Sequence, residues 1–374
     1  MRLSSLVAGV FALSLIGYVA ASTLPLSAGA ATPRSFGQST LPSLRNLRSY
    51  SATNQPSASR QTSFQSGQQT GQGQQPGQQT AQSQQPLQVQ TTIVNVFATV
   101  RDKHHGIISD LTKDDFKVFE DGVEQKVAFF SKEVNMPITL GLLIDTSASM
   151  DRMINAEQDA ASRFLREVMR PKDEAMVMTF DFDVDLLSDF TQDTSALASA
   201  IRRARVNSVG GGGVVTPGTI PQGASGGTDL YDAIYLACHD QLATEAGRKG
   251  VIVLTDAEDT GSKLRLQDAV EAAQRTDAVI HVLLITDREA TFGTGPGVAR
   301  KMTEDTGGRV IDVHNEASLE KAFDEISQEL RSQYVLGYYP TNIKRDGTFR
   351  KLRVDVMRPD MKILARKGYY APYR

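Results

Sequence analysis

The apolar stretch Ile138 to Ile144, running straight into Asp145-Thr146-Ser147-Ala148-Ser149-Met150, constrains this chain more than any other segment. A short run of that kind reads as a strand buried on both faces, the form found in parallel sheets with helices on either side. It ends in a carboxylate and two hydroxyls at alternate positions, which places several hard oxygen donors at one strand tip. Such donors suit Mg²⁺ or Mn²⁺ far better than a soft metal. Position and chemistry agree, because open α/β sheets bind ligands outside the carboxyl ends of their strands. A simple helix cap would use one hydroxyl, accounting for Ser147 or Ser149 but leaving Asp145 unexplained.

Two later segments extend the set. Gly226-Gly227-Thr228-Asp229-Leu230 delivers a Thr just before an apolar-periodic helix, and Val251-Ile252-Val253-Leu254-Thr255-Asp256 is a second buried strand ending in a carboxylate. Asp-x-Ser-x-Ser, then Thr, then a strand-terminal Asp resembles the metal-ion-dependent adhesion site of von Willebrand factor A domains, with the three pieces in the family's order. The similarity covers roughly residues 137–330. It implies that Ser147, Ser149 and Thr228 touch the ion directly, while Asp145 and Asp256 act through water or at longer range.

Charge explains why such a mixture is useful. A divalent ion held mostly by neutral hydroxyls and water keeps much of its positive charge and an open coordination position, whereas an all-carboxylate cage neutralises and closes it. The expectation is a metal-dependent binding module, for adhesion or assembly, that recruits an Asp or Glu carboxylate of a partner protein. Mg²⁺ is the first candidate ion, with Mn²⁺ beside it and Ca²⁺ as a third.

Two other classes of function compete. Metal, hydroxyls and carboxylates could support hydrolysis, with Asp145 as nucleophile or Asp256 as base. Against catalysis, no phosphate-cradling glycine loop with Lys follows the first strand, Asp145 lacks the second Asp of dehalogenase-like phosphatases, and no nearby Ser-His-Asp signature is present. The third reading is an envelope scaffold whose metal site is vestigial. Net charge of -3 over 374 residues, with Lys and Arg scattered among acids, gives no electrostatic case for nucleic acid.

The amino terminus reads as an export signal, residues 1–30. Arg2 precedes an apolar stretch from Leu3 to Ala21, and Ala28-Gly29-Ala30 supplies a small-x-small cleavage pattern. The expected location is therefore periplasmic, cell-surface or secreted. An uncleaved signal anchor is the alternative, and the one route to a membrane. Residues 31–90 are rich in Gln, Ser, Gly and Pro and hold four Arg but no Asp or Glu. Too few apolar side chains are present to offset ordering entropy, so a disordered tether is expected, with a reach of about 40 Å.

Structure is expected to resume near Thr91. The segment 91–136 is β-rich: Thr92 to Val100 has strand character, and Phe116 to Phe130 reads as a hairpin turning at Asp121-Gly122, giving about three strands. Residues 331–374 are β-rich too, with candidate strands at Gln333 to Tyr339, Leu352 to Val356 and Lys362 to Arg366. The prediction is one immunoglobulin-like sandwich built from both flanks, with a doubly wound, mostly parallel α/β domain (residues 137–330) inserted between them. The patterns Leu111 to Phe116 and Arg366-Lys367-Gly368-Tyr369-Tyr370 also resemble exported bacterial proteins described as VWFA-related.

Several features receive plainer readings. Cys238, the single cysteine, lies in an apolar-periodic helix and reads as a buried, inert thiol. Asp181, Asp183 and Asp185 lack the pattern of a calcium loop and read as a solvated edge. Glu258 and Asp259 are expected to orient their loop or face water, and Asp229 and Asp232 to favour the start of their helix. His104 and His105 read as a turn. The glycine-rich stretch 209–227 runs into Thr228, which suggests an influence on recognition.

Overall fold

The computed structural model describes residues 93–133, 136–206, 227–286 and 293–373. The expected signal, the tether and nearly all of the glycine-rich stretch lie outside the described residues.

The amino-terminal flank contributes four strands rather than three: β1 (Val94–Asp102), β2 (Phe116–Glu120), β3 (Val123–Gln125) and β4 (Val127–Glu133). Asp121 and Gly122, both left-handed at φ 48° and 84°, close a two-residue turn between β2 and β3. The segment expected to complete the hairpin, from Lys126, instead enters a different sheet as β4. Around His104 the chain turns, with Asp102 Oδ1 accepting from the N–H groups of His104 and Gly106 at 2.8 Å.

The central domain follows as β5 (Ile138–Asp145), α1 (Ile154–Val168), β6 (Glu174–Phe180), β7 (Val184–Thr191), α2 (Thr194–Ile201), α3 (Leu230–Leu236), β8 (Arg248–Thr255), α4 (Leu266–Arg275), β9 (Ala278–Ile285), α5 (Gly295–Thr306), β10 (Val310–Val313) and α6 (Glu316–Arg331). Its six strands run in the order β10-β9-β8-β5-β6-β7, all parallel except the edge strand β7. Every residue of β5 is buried, because helices cover both faces. Leu140, Leu142 and Ile144 pack against α1, α2 and α6 through Phe164, Leu197 and Phe323, while Leu143 faces Leu230, Ile234 and the α4 and α5 side. The doubly wound α/β fold expected from the alternating pattern is thus present.

Cys238 falls in a π-helical turn that continues α3, and burial pushes its thiol up to about 12. The thiol is buried and protonated, as its apolar neighbours suggested.

The carboxyl-terminal flank adds β11 (Gln333–Tyr338), β12 (Phe349–Val356), β13 (Met361–Ala365) and β14 (Gly368–Tyr370). Two four-stranded sheets result, ordered β13-β1-β11-β4 and β14-β12-β2-β3, and each mixes strands from both flanks. One apolar core lies between them, formed by Val96, Phe116, Val118, Tyr334, Leu336, Leu352 and Val354 among others. Within it the Glu120 carboxylate, 2% exposed, accepts from Tyr338 Oη at 2.7 Å, Tyr369 Oη at 2.9 Å and Arg350 Nη1 at 3.2 Å.

Charged pairs join this sandwich to the α/β domain. Glu329 on α6 accepts from Arg101 on β1 and from Arg309, Arg366 binds Asp277, and Arg275 of α4 lies 3.9 Å from the ring centroid of Tyr370. Gly307, left-handed at φ 91°, ends α5 where an added Cβ would sit 2.5 Å from the Arg366 nitrogen, so the helix can stop against the sandwich without a collision.

Candidate metal centre

Asp145 closes β5 with no exposed surface, and its carboxylate is pinned on both oxygens. Oδ1 accepts from the Ser147 N–H at 2.9 Å, and Oδ2 accepts from Thr255 Oγ1 at 2.6 Å. Burial raises this carboxyl to about 6, against the lowering effect of the Ser147 and Thr255 hydrogen bonds, and the Asp256 charge raises it further. Ser147 begins a 3₁₀ turn over Ala148–Met150. That turn folds the chain back, so the Ser147 and Ser149 hydroxyls converge to 3.0 Å with Ser149 open to solvent.

Asp256 follows the tip of β8, the strand beside β5. Thr255, just before it, both donates to Asp145 and accepts from the Ala257 N–H at 2.9 Å. Ala257 is buried in the left-handed region at φ 60°, a conformation that a residue with a Cβ adopts at some cost. The resulting sharp turn lets Asp256 Oδ1 accept from the Glu258 N–H at 3.1 Å.

Thr228 is 7% exposed and held by its backbone. Its N–H donates to Thr260 Oγ1 at 3.0 Å, and its carbonyl accepts from the N–H groups of Thr260 and Gly261 at 3.1 and 3.2 Å. No hydrogen bond engages its hydroxyl among the described residues. Gly261 makes the approach possible, since a Cβ there would lie 2.1 Å from Asp229 Oδ1. The loop after Asp256 is laced further onto the start of α3. Ser262 Oγ accepts from Tyr231 N–H at 3.0 Å, and Asp232 accepts from the N–H groups of Leu264 and Lys263 at 2.9 and 3.1 Å.

Those contacts refine the acidic readings. Asp232 ties the loop rather than serving its own helix alone. Glu258 caps α5, accepting from Gly295 N–H at 2.8 Å and Thr294 Oγ1 at 3.0 Å, and Asp259 accepts from Tyr231 N–H at 3.2 Å. Burial, together with the charges of Asp232 and Asp259, pushes Asp229 up to about 6. Asp181 is a correction. It is 5% exposed rather than solvated, because Thr146 Oγ1 donates to its Oδ2 at 2.9 Å and its carbonyl accepts from Asp229 N–H at 2.6 Å. Asp183 and Asp185 are exposed.

Sequence reasoning passed over Thr255, Thr260, Ser262 and the Thr146–Asp181 pair. A signal for the first was present, since Thr255 is the lone hydroxyl at the end of an apolar strand, and a buried hydroxyl requires a partner.

Among the described residues no three His, Cys, Asp or Glu side chains gather to hold a metal ion. Any ion at this tip would therefore depend on hydroxyls. The donors here, two convergent Ser hydroxyls, an unengaged Thr hydroxyl and carboxylates already oriented by hydrogen bonds, have the chemistry of a hard-cation site.

The fold and its strand-tip loops define a doubly wound α/β domain with its polar site at the carboxyl edge of the sheet. Residues 140–258 match the profile of the von Willebrand factor type A domain. No curated protein matches the sequence. Similar solved structures include the conserved hypothetical protein BatB of Bacteroides thetaiotaomicron, 18% identical over 52% of this chain and 100% of that one, with a TM-score of 0.41. A von Willebrand factor type A protein of Catenulispora acidiphila is 14% identical over 69% of this chain and 74% of its own, at TM-score 0.42. The von Willebrand factor domain of a type V pili tip protein from Porphyromonas gingivalis is 15% identical over 53% and 96%, at TM-score 0.39. Among the described residues, no helix is long and apolar enough to cross a membrane.

Proposed function

We propose that this chain is an exported protein-binding module that uses a divalent cation to recruit an Asp or Glu carboxylate of a partner protein. Ser147, Ser149 and Thr228 would hold the ion, with Asp145 and Asp256 acting at longer range. Mg²⁺ or Mn²⁺ suits that donor set best. Once bound, the ion supplies a Lewis-acidic coordination position for an external carboxylate. The protein's part is to bind and orient rather than to catalyse.

One observation carries this reading. Asp145 is wholly buried and fixed by Thr255 and the Ser147 backbone, at the start of a turn whose Ser147 and Ser149 hydroxyls lie 3.0 Å apart with Ser149 exposed. A buried negative charge with no cationic side chain among its hydrogen-bond partners is costly, and a cation above it would offset that cost. The neutral hydroxyls leave such an ion undersaturated in charge. Thr255 and Thr260 act as positioning residues, holding Asp145 and Thr228 in place. Export rests on the amino-terminal sequence, with periplasmic, cell-surface or secreted placement following from it.

Calorimetric titration of the full chain with Mg²⁺ and Mn²⁺ tests the site directly, alongside the Ser147→Ala/Ser149→Ala double variant. Binding of one ion, lost in the double variant, is expected. Retention of an immobilised Asp-containing peptide in Mg²⁺ but not in chelator tests recruitment. Retention that ignores chelator would exclude the mechanism.

A further inference from the structure

Phe182 stands out on the same edge of the sheet. It is 45% exposed and belongs to none of the three apolar cores, although it lies only two residues beyond the end of the buried strand β6. Leaving a phenyl ring in water forgoes the stabilisation its burial would bring. The turn that displays it is nonetheless tightly built. Asp181 N–H donates to the Asp183 carbonyl at 3.1 Å, and Asp183 N–H donates back to Asp181 Oδ1 at 3.2 Å.

Asp181 is in turn fastened to both hydroxyl-bearing loops. Thr146, adjacent to Ser147, donates its hydroxyl to Asp181 Oδ2 at 2.9 Å, and Asp229, adjacent to Thr228, donates its N–H to the Asp181 carbonyl at 2.6 Å. The ring is thereby carried on the same hydrogen-bonded frame as Ser147 and Thr228. The exposed carboxylates of Asp183 and Asp185 follow it, which disfavours a second acidic group of any partner at this point.

We infer that Phe182 is the specificity contact of the metal face, selecting partner segments that carry a large apolar side chain beside the carboxylate that meets the ion. This rests on the function proposed above, and adds to it the chemistry of the partner. The carboxylate provides the metal-dependent anchor. The neighbouring side chain covers the ring and is buried with it, which separates one acidic segment from another.

The test uses the full chain and Phe182→Ser, which removes the ring at an exposed position, with equal thermal midpoints confirming that both are folded. The probes are labelled Gly/Ser peptides with a single Asp and, two positions away on either side, Leu, Phe, Ser or Lys, measured by fluorescence polarisation in Mg²⁺ and in chelator. The parent chain should bind the Leu and Phe peptides about tenfold more tightly than the Ser peptide, and only with Mg²⁺. In Phe182→Ser that preference should vanish while Mg²⁺-dependent binding of the Ser peptide is unchanged. Undiminished apolar preference in Phe182→Ser, no apolar preference in the parent, or tightest binding of the Lys peptide would overturn the inference while leaving the metal-dependent reading in place. Absence of any Mg²⁺-dependent binding would overturn both.

Discussion

The Thr255 hydroxyl donates to Asp145 Oδ2 at 2.6 Å, linking the tips of two neighbouring parallel strands across 110 residues of sequence. The bond orients the buried carboxylate toward the Ser147 and Ser149 turn. Thr255→Val keeps the shape and deletes the donor. It should weaken Mg²⁺ binding about tenfold or more, as loss of an outer orienting group does, and cost about 1–3 kcal/mol of stability. Calorimetry and urea unfolding measure the two effects separately.

Asp145 also predicts a pH dependence. Its folded value of about 6 lies above the ordinary 3.8, because burial disfavours the charged form. Its stabilising contribution is therefore fully present below 3.8 and is lost as pH rises through about 6. With chelator present, unfolding free energy should fall by up to about 3 kcal/mol across that window. Asp145→Asn should flatten the fall. Saturating Mg²⁺ should reduce it in the parent chain, since an ion stabilises the charged carboxylate.

Glu157, in the first turn of α1, is wholly buried, and neither carboxylate oxygen has a hydrogen-bond partner among the described residues. Burial, assisted by the Asp145 charge, holds it well above the usual 4.5. The sign matches that of Asp145: stability is present below 4.5 and declines as pH climbs toward the raised value. Glu157→Gln should remove its share of the decline that sets in as pH rises past 4.5. Urea midpoints of the parent and Glu157→Gln that run parallel from pH 5 to 8 would contradict this.

In the sandwich, Glu120 from the first flank meets Tyr338, Arg350 and Tyr369 from the second. Glu120→Ala would leave the buried Arg350 guanidinium with only the partly exposed Asp346 carboxylate, 3.8 Å away. Breaking a buried pair from one side costs about 3–5 kcal/mol. Loss of cooperative urea unfolding, or a large drop in its midpoint, is expected, together with proteolysis within 93–133 that the parent chain resists.

Much of the α/β domain was legible because burial leaves a local trace. Continuous apolar runs marked β5 and β8, and stripes such as Leu319, Phe323, Ile326 and Leu330 marked α6. The edge strand β7 and helices α2 and α5 were less visible. β7 is only half-buried along its length, and α2 is a two-turn helix. The partners of buried polar groups left no such trace. Asp181 resembles Asp183 and Asp185 in sequence, yet it alone is enclosed, because Thr146, 35 residues away, reaches it.

The amino-acid order by itself determined the period of each element and which strands end in Asp, Ser or Thr, since both follow from neighbouring residues. It also set a carboxylate and two hydroxyls at alternate positions at the end of β5. Only the tertiary structure decided that β4 leaves its hairpin for the other sheet, that Thr255 grips Asp145, and that Glu120 joins the two flanks. Local pattern reports whether an apolar side chain is buried, whereas the partner a polar group meets depends on strand pairing over long separations, which no short window contains.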